Sequence, residues 1–283
     1  MQTKRERKPD WLKVRIPLGK NYTRVKKIVE DNKLHTICTS GHCPNIADCW
    51  SRSTATLMIL GDICTRSCKF CNVRTGKPQA VDLNEPVRIA ESVSLLGIKH
   101  LVLTSVDRDD LDDLGAGIWE TTLLEVKKLL PPPTIEALIP DFQGKEHLIK
   151  RIVDTRIEVI SHNLETVRRL TPSIRSVANY DRSLQVLNYI AKSGISSKTG
   201  IMLGLGEQKE EVIQTMQDAY DAGCKIFTIG QYLQPSPRHL PVTEYIHPDV
   251  FEEYRLTGLA IGLKYVESSP LVRSSYHAER HIH

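Results

Sequence analysis

The fold turns on ATLMIL (55–60) and the GDICTRSCKFCNV (61–73) that follows it. A short apolar run closed by a glycine reads as a buried strand, too brief for an ordinary helix. The next loop carries Cys64, Cys68 and Cys71 in the spacing C-x3-C-x2-C, so three thiols leave one end of one strand. Downstream the pattern alternates. Strand-like runs at 98–104, 134–139, 156–161, 198–203 and 225–230 are interleaved with helix-like segments near 86–97, 117–130, 145–154, 180–193 and 208–222. Pro131, Pro132 and Pro133 stop the second helix, and Gly97, Gly194 and Gly223 fall where helix ends need them. Such alternation builds a parallel sheet with crossover helices. Six strands are two short of a closed eight-fold barrel. The expectation is therefore an α/β fold, a partial (β/α)6 TIM-type barrel with N-terminal and C-terminal extensions, and with its chemistry at the C-terminal ends of the strands. A further helix at 248–263 and a strand-like KYVES (264–268) precede a polar tail. Three parts are expected: 1–53, a barrel over 54–247, and a C-terminal extension over 248–283.

Composition fits a globular protein, with 40% hydrophobic and 25% charged residues over 283 positions. No apolar run approaches the roughly 18–20 residues that span a bilayer, and MQTKRERKPDW lacks the apolar stretch of a secretory signal. A cytoplasmic location is expected. Charge is uneven: residues 1–33 hold 11 Lys/Arg and 4 Asp/Glu, a net of +7, whereas the whole chain is +4. This basic arm reads either as a solvated, partly mobile tail or as a docking surface for an acidic partner, with Lys4, Arg5, Arg7 and Lys8 at its front. No nucleic-acid motif accompanies it.

Six of seven cysteines lie within 34 residues, a local cluster that points to metal or catalytic thiols rather than disulfides. Structural zinc takes four ligands, and Cys64, Cys68 and Cys71 supply three. Three thiolates on a four-iron cubane leave one iron open to a cofactor. A second triplet, Cys38, Cys43 and Cys49, is spaced C-x4-C-x5-C; on its own it also suits a zinc knuckle with His35 or His42. Cys224 stands apart and reads as a buried free thiol.

The C-x3-C-x2-C loop after the first strand, with Phe70 before its last cysteine, resembles the radical S-adenosylmethionine (SAM) superfamily. Adding CTSGHCPNIADCW (38–50), KPDWLKVRIP (8–17) and VRSSYHAE (272–279), the chain resembles the lipoyl synthases over nearly its whole length. A non-catalytic electron carrier and other two-cluster radical enzymes, such as biotin synthase, are the alternatives. The resemblance implies two 4Fe–4S clusters and SAM. Cys64, Cys68 and Cys71 would hold the cluster that binds SAM. Cys38, Cys43 and Cys49, with Ser274 as an unusual fourth ligand, would hold an auxiliary cluster that donates sulfur. Arg273 and Ser274 are then the candidate catalytic residues. The implied activity is radical insertion of two sulfur atoms at C6 and C8 of a protein-bound octanoyl group, using two SAM. The implied partners are octanoylated lipoyl carrier domains (dehydrogenase E2 subunits, the glycine cleavage H protein), an electron donor such as ferredoxin or flavodoxin, and an iron–sulfur cluster carrier; nucleic acid and membrane are not expected.

Position at strand ends suggests further SAM contacts. With Phe70, the candidates are Thr104 and Ser105 for the amino group, Asn163 and Glu165 for ribose hydroxyls, Lys198 for the carboxylate and Gln231 for the adenine edge. Gly204 and Gly206 would let backbone approach the ligand. Asp107, Arg108, Asp109 and Asp110 form a charged loop, read as solvated but lying on the functional face.

Overall fold

The computed structural model describes residues 7–14, 19–52 and 54–282, so Lys4 and Arg5 of the basic arm lie outside the described residues. In chain order the strands are β1 (His35–Thr36), β2 (Thr56–Ile59), β3 (Ile63–Cys64), β4 (Arg74–Thr75), β5 (His100–Ser105), β6 (Thr134–Leu138), β7 (Val159–Ser161), β8 (Ser196–Leu203), β9 (Ile226–Gln231) and β10 (Tyr265–Ser268). The helices are α1 (Lys20–Asp31), α2 (Ile37–Ser40), α3 (Ile46–Ser51), α4 (Glu85–Leu96), α5 (Ala116–Lys127), α6 (Glu146–Asp154), α7 (Thr171–Ile174), α8 (Tyr180–Lys192), α9 (Lys209–Asp221) and α10 (Pro248–Ile261).

The main sheet has eight strands in the order β1–β2–β5–β6–β7–β8–β9–β10. Every neighbouring pair from β2 to β10 is parallel, and only β1 runs against its neighbour. The six core strands with their crossover helices form the partial barrel. Each extension adds one edge strand, β1 from the N-terminal side and β10 from KYVES. Local chemistry explains the helix limits. Pro86 opens α4 and Gly97 closes it at φ +65°; Gln208 and Glu211 cap α9 reciprocally. In α6, Leu148, Ile149, Ile152 and Val153 form one buried stripe.

The basic arm differs from the expected mobile tail over 20–31. Val25 and Val29, one turn apart, are buried, so this stretch folds as α1 with its charges outward. Asn21 donates to the Ser51 carbonyl (3.0 Å) and Arg24 to the Leu95 carbonyl (2.8 Å), tying α1 to α3 and α4. The core lies in two large regions, one around β2, β5, β6 and α4–α6, the other around β8, β9, α9 and α10, with a small third cluster of Ile174, Leu205 and Tyr232. Cys224 is buried in the second, beside Ser197.

Candidate functional site

A cavity of about 560 Å³ opens at the C-terminal ends of the strands. Cys64, Cys68 and Cys71 line it with Phe70, Thr104, Ser105, Asn163, Glu165, Arg273 and Ser274. A larger groove, about 910 Å³ between α1 and α4, holds no cysteine of either triplet. The smaller cavity is the site, because the donor groups converge there.

The 61–75 loop is fastened by charge. Arg66, between Cys64 and Cys68, is buried and meets three carboxylates: Asp107 (3.3 Å), Asp109 (2.7 Å) and Asp141 (2.9 Å). Burial disfavours charge on Asp141, yet Arg66 and His162 outweigh it and hold its carboxyl down to about 2. The charged run at 107–110 is thus tied down by ion pairs at its inner side and solvated only at its rim: Arg108 is 3% exposed and hydrogen-bonded to the carbonyls of Leu60 and Gln79, Asp107 and Asp109 are half-buried against Arg66, and Asp110 is exposed. Pairing of β3 with β4 closes the loop's base. Backbone N–H groups of Arg66 and Asp107 each point at Cys64 Sγ from 3.4 Å.

All seven cysteines are free thiols. Burial pushes the Cys64 thiol up to about 11 and Cys71 up to about 12, with Cys68 also raised. Cys71 feels both of its neighbours. In the first triplet burial raises Cys38 to about 11 and Cys49 to about 12, and Cys49 interacts with both Cys38 and Cys43. Within each triplet the thiols lie close enough to act on one another, and burial outweighs the nearby guanidinium groups of Arg273, Arg52 and Arg175, a setting that suits a cationic inorganic partner. Among the described residues no three His, Cys, Asp or Glu side chains converge on a single metal ion. A mononuclear zinc site needs such convergence, whereas a cubane takes each thiolate on a separate iron.

Ser274 arrives from the far end of the chain. The Ser269 N–H donates to the Ile229 carbonyl (3.2 Å) and the Gln231 N–H to the Pro270 carbonyl (3.1 Å), so residues 269–272 run on across the end of β9. A side chain at Gly230 would sit 2.1 Å from the Val272 carbonyl, so only glycine permits this crossing. Asn45 Nδ2 then holds the Leu271 carbonyl at 2.7 Å. This carries Arg273 to Cys43, with which it interacts, and brings Ser274 into the cavity alongside His42 and Pro44.

Other positions suit a polar cofactor. Asn163 donates to Glu165 (3.1 Å) while its own buried Oδ1 has no partner. Burial raises the Glu165 carboxyl, opposed by Arg175 and Asn163. Arg175, absent from the sequence reading, lines the cavity near Cys68 and leaves its buried Nε unpaired. Such orphaned groups mark a place for a ligand. Thr104 donates to the Leu138 carbonyl (3.1 Å), and Ser105 accepts from Trp119 (3.1 Å).

Two expected contacts are corrected. Lys198 lies early in β8, not at its end, and points into the barrel, where its fully buried ammonium meets both oxygens of Glu136 at 2.8 Å. Gln231 is likewise buried; its Nε2 donates to the carbonyls of Leu203 (3.1 Å) and Glu244 (3.0 Å), and its Oε1 accepts from Ile246 (2.9 Å). Neither lines the cavity. Gly204 makes room for Gln231 rather than for a ligand, since a Cβ there would lie 2.2 Å from its Nε2.

Comparison with known proteins agrees with this geometry. The radical SAM superfamily matches residues 58–219, and the N-terminal domain of lipoyl synthase matches residues 1–43. A structure of Streptococcus suis SuiB bound to S-adenosylmethionine superposes with a TM-score of 0.61 at 13% identity, covering 80% of this chain and 54% of that one. Methylornithine synthase gives 0.55 at 13% identity, covering 77% and 72%. The chain thus spans about half the length of SuiB, and at these identities the likeness speaks for the fold alone. The fold and the C-x3-C-x2-C loop at its strand ends define a radical SAM protein. Lipoyl synthase from Phocaeicola vulgatus is 59% identical, with 98% of this chain and 97% of the relative covered. That from Bacteroides thetaiotaomicron is 58% identical over 98% and 99%, and the mitochondrial enzyme of Nematostella vectensis 56% over 99% and 96%. The chain belongs to the lipoyl synthase family.

Proposed function

We propose that this chain inserts sulfur at C6 and C8 of an octanoyl group carried on a lipoyl carrier domain. The observation that carries the reading is the convergence of one triplet, Arg273 and Ser274 on a single cavity, with Cys43 of the other triplet against Arg273. When bound, one cluster with SAM supplies hydrogen-atom abstraction from an unactivated carbon, beyond the reach of any side-chain base, and the auxiliary cluster supplies sulfur.

The chain's own residues position and exclude. Cys64, Cys68 and Cys71 are the ligands of the SAM-binding cluster; Cys38, Cys43, Cys49 and Ser274 are those of the other. Asn163 Oδ1 and Glu165 are free to take hydroxyl groups, and Arg175 Nε a carboxylate, the role the sequence suggested for Lys198. Thr104 and Ser105 edge the amino position, and Phe70 walls the loop. Ile139, Ile201, Met202, Leu233 and Val272 line the cavity and suit an alkyl chain kept from water. Lys8 also lines it and marks the side on which an acidic carrier, such as an E2 domain or H protein, would dock. In this reading 54–247 is the barrel, and 1–53 and 248–283 together build the auxiliary site. A ferredoxin- or flavodoxin-type donor and a cluster carrier complete it. Seven free thiols accord with a reducing, cytoplasmic setting. No helix among the described residues is long and apolar enough to cross a membrane.

Anaerobic turnover of an octanoylated peptide with SAM and dithionite, followed by mass, tests the reading: products one and two sulfurs heavier are expected. An electron carrier would yield neither these nor 5′-deoxyadenosine. Ser274 tests the ligand set. An alkoxide is a harder donor than thiolate and should release more readily from a soft iron. Ser274→Cys should retain iron but slow sulfur transfer, and full-rate transfer would exclude ligand lability.

A further inference from the structure

Loop 232–246 crosses from the end of β9 to the cysteine loop. Gln231, just before the loop, holds its far end through the Glu244 carbonyl and the Ile246 N–H. At its middle, His239 Nε2 lies 3.1 Å from the Cys71 carbonyl, and the Leu240 N–H donates to the Lys69 carbonyl at 3.3 Å. A carbonyl can only accept, so Nε2 carries the proton. In the neutral ring Nδ1 is the acceptor, and the Ser236 hydroxyl meets it at 2.9 Å. Gln234 holds the His239 carbonyl (2.9 Å), and Tyr232 donates to the Leu240 carbonyl (2.8 Å). The tautomer and the ring orientation are both fixed by this chain of bonds.

The sheet supplies no such link. In its order β2 and β9 are separated by β5, β6, β7 and β8, yet their loops meet through His239. Tyr232, Leu233, Gln234 and Pro235 line the same cavity as Cys71. We infer that His239 is a positioning residue, a clasp that sets the distance between the Cys71 loop and the cavity wall of residues 232–235, which SAM would contact when bound. This rests on the radical SAM assignment and adds a residue to it.

The test compares reconstituted holoenzyme with His239→Ala, His239→Gln and Ser236→Ala. Three quantities are read: iron content, amide hydrogen exchange at Leu240, and SAM affinity from the change SAM makes in the reduced cluster's EPR signal. His239→Ala should keep its iron, exchange at Leu240 about tenfold faster and bind SAM about tenfold more weakly, the effect of one lost bond that leaves a carbonyl unpaired. His239→Gln, whose Nε2 can donate to the same carbonyl, should recover most of both. Unchanged exchange and affinity in the alanine variant, or a glutamine variant no better than alanine, would overturn the clasp. Should His239→Ala lose iron, Ser236→Ala keeps the ring and removes its anchor. It should then weaken SAM about threefold, and no change there would equally overturn the idea. A wild-type enzyme whose EPR signal ignores SAM would instead fail the superfamily assignment, while the exchange result would still stand.

Discussion

Around Cys64, Cys68 and Cys71 the chain is fastened by buried charge: one guanidinium on three carboxylates, all within the barrel's own loops. Around Cys38, Cys43 and Cys49 it is fastened by short helices and by a visitor from the opposite end of the chain. Asn45 grips the Leu271 carbonyl, Tyr276 donates to Asp48 (3.3 Å), and Arg52 lies against the Tyr276 ring and beside His277 (3.3 Å). Most of those outer contacts are exposed and individually weak. The difference matches two duties. A cluster that turns over with its cofactor needs a fixed seat, whereas a cluster that gives up its sulfur needs a seat able to open.

The comparison breaks most sharply at Arg66. Arg66→Ala strips the counter-charge from Asp107 and Asp109, leaves a fully buried Asp141 to Arg182 at 3.3 Å, and should cost about 3–5 kcal/mol, as breaking buried ion pairs does. Denaturant titration measures the loss. Iron analysis should show the SAM-binding cluster gone and the auxiliary cluster kept. Equal loss of both would mean that the two seats are not independent.

Arg66 was also invisible in the sequence, where it is one residue of C-T-R-S-C. Its weight comes from carboxylates 41 to 75 positions away, which periodicity cannot pair. The strands were legible because apolar runs are bounded by glycine and proline: 134–139 became Thr134–Leu138 and 225–230 became Ile226–Gln231. The triplets were legible because their spacing is local. Residues Lys20–Asp31 misled because abundant lysine masks the Val25/Val29 stripe. Lys198 and Gln231 misled for another reason. A polar residue near a strand end is announced by sequence, but whether it faces the cavity or the barrel interior depends on register.

His162 sharpens the contrast from within the barrel. It is buried, with Nδ1 2.9 Å from the Ile139 carbonyl and Nε2 2.9 Å from Ser183 Oγ. Burial lowers its pKa from 6.5 to about 4. The unfolded chain therefore takes up the proton first as pH falls. Stability from this group is complete above 6.5 and declines down to about 4, by roughly 3 kcal/mol. Asp141 is held down to about 2 and stays charged when folded, and because its unfolded carboxyl titrates near 3.8 it steepens the fall chiefly at and below pH 4. Denaturation midpoints from pH 7 to 4 should fall steeply in the wild type and more gently in His162→Gln. Parallel slopes would assign the acid sensitivity elsewhere.

The smallest effects belong at the auxiliary seat. Asn45→Ala leaves the Leu271 carbonyl without its 2.7 Å donor and should cost about 1–2 kcal/mol. Tyr276→Phe removes only an exposed 3.3 Å contact and should stay within about 0.5 kcal/mol. Global stability reports the lost bonds and not which cluster they guard, so the informative measurement is the rate at which a chelator strips each cluster. If the C-terminal segment is the clamp, Asn45→Ala should speed loss of the auxiliary cluster and leave the SAM-binding cluster unchanged, with Tyr276→Phe between it and wild type. Acceleration at both clusters would place the clamp in the barrel as a whole. No acceleration in either variant would leave Cys38, Cys43 and Cys49 holding the cluster unaided, with residues 271–277 a cover and not a clamp.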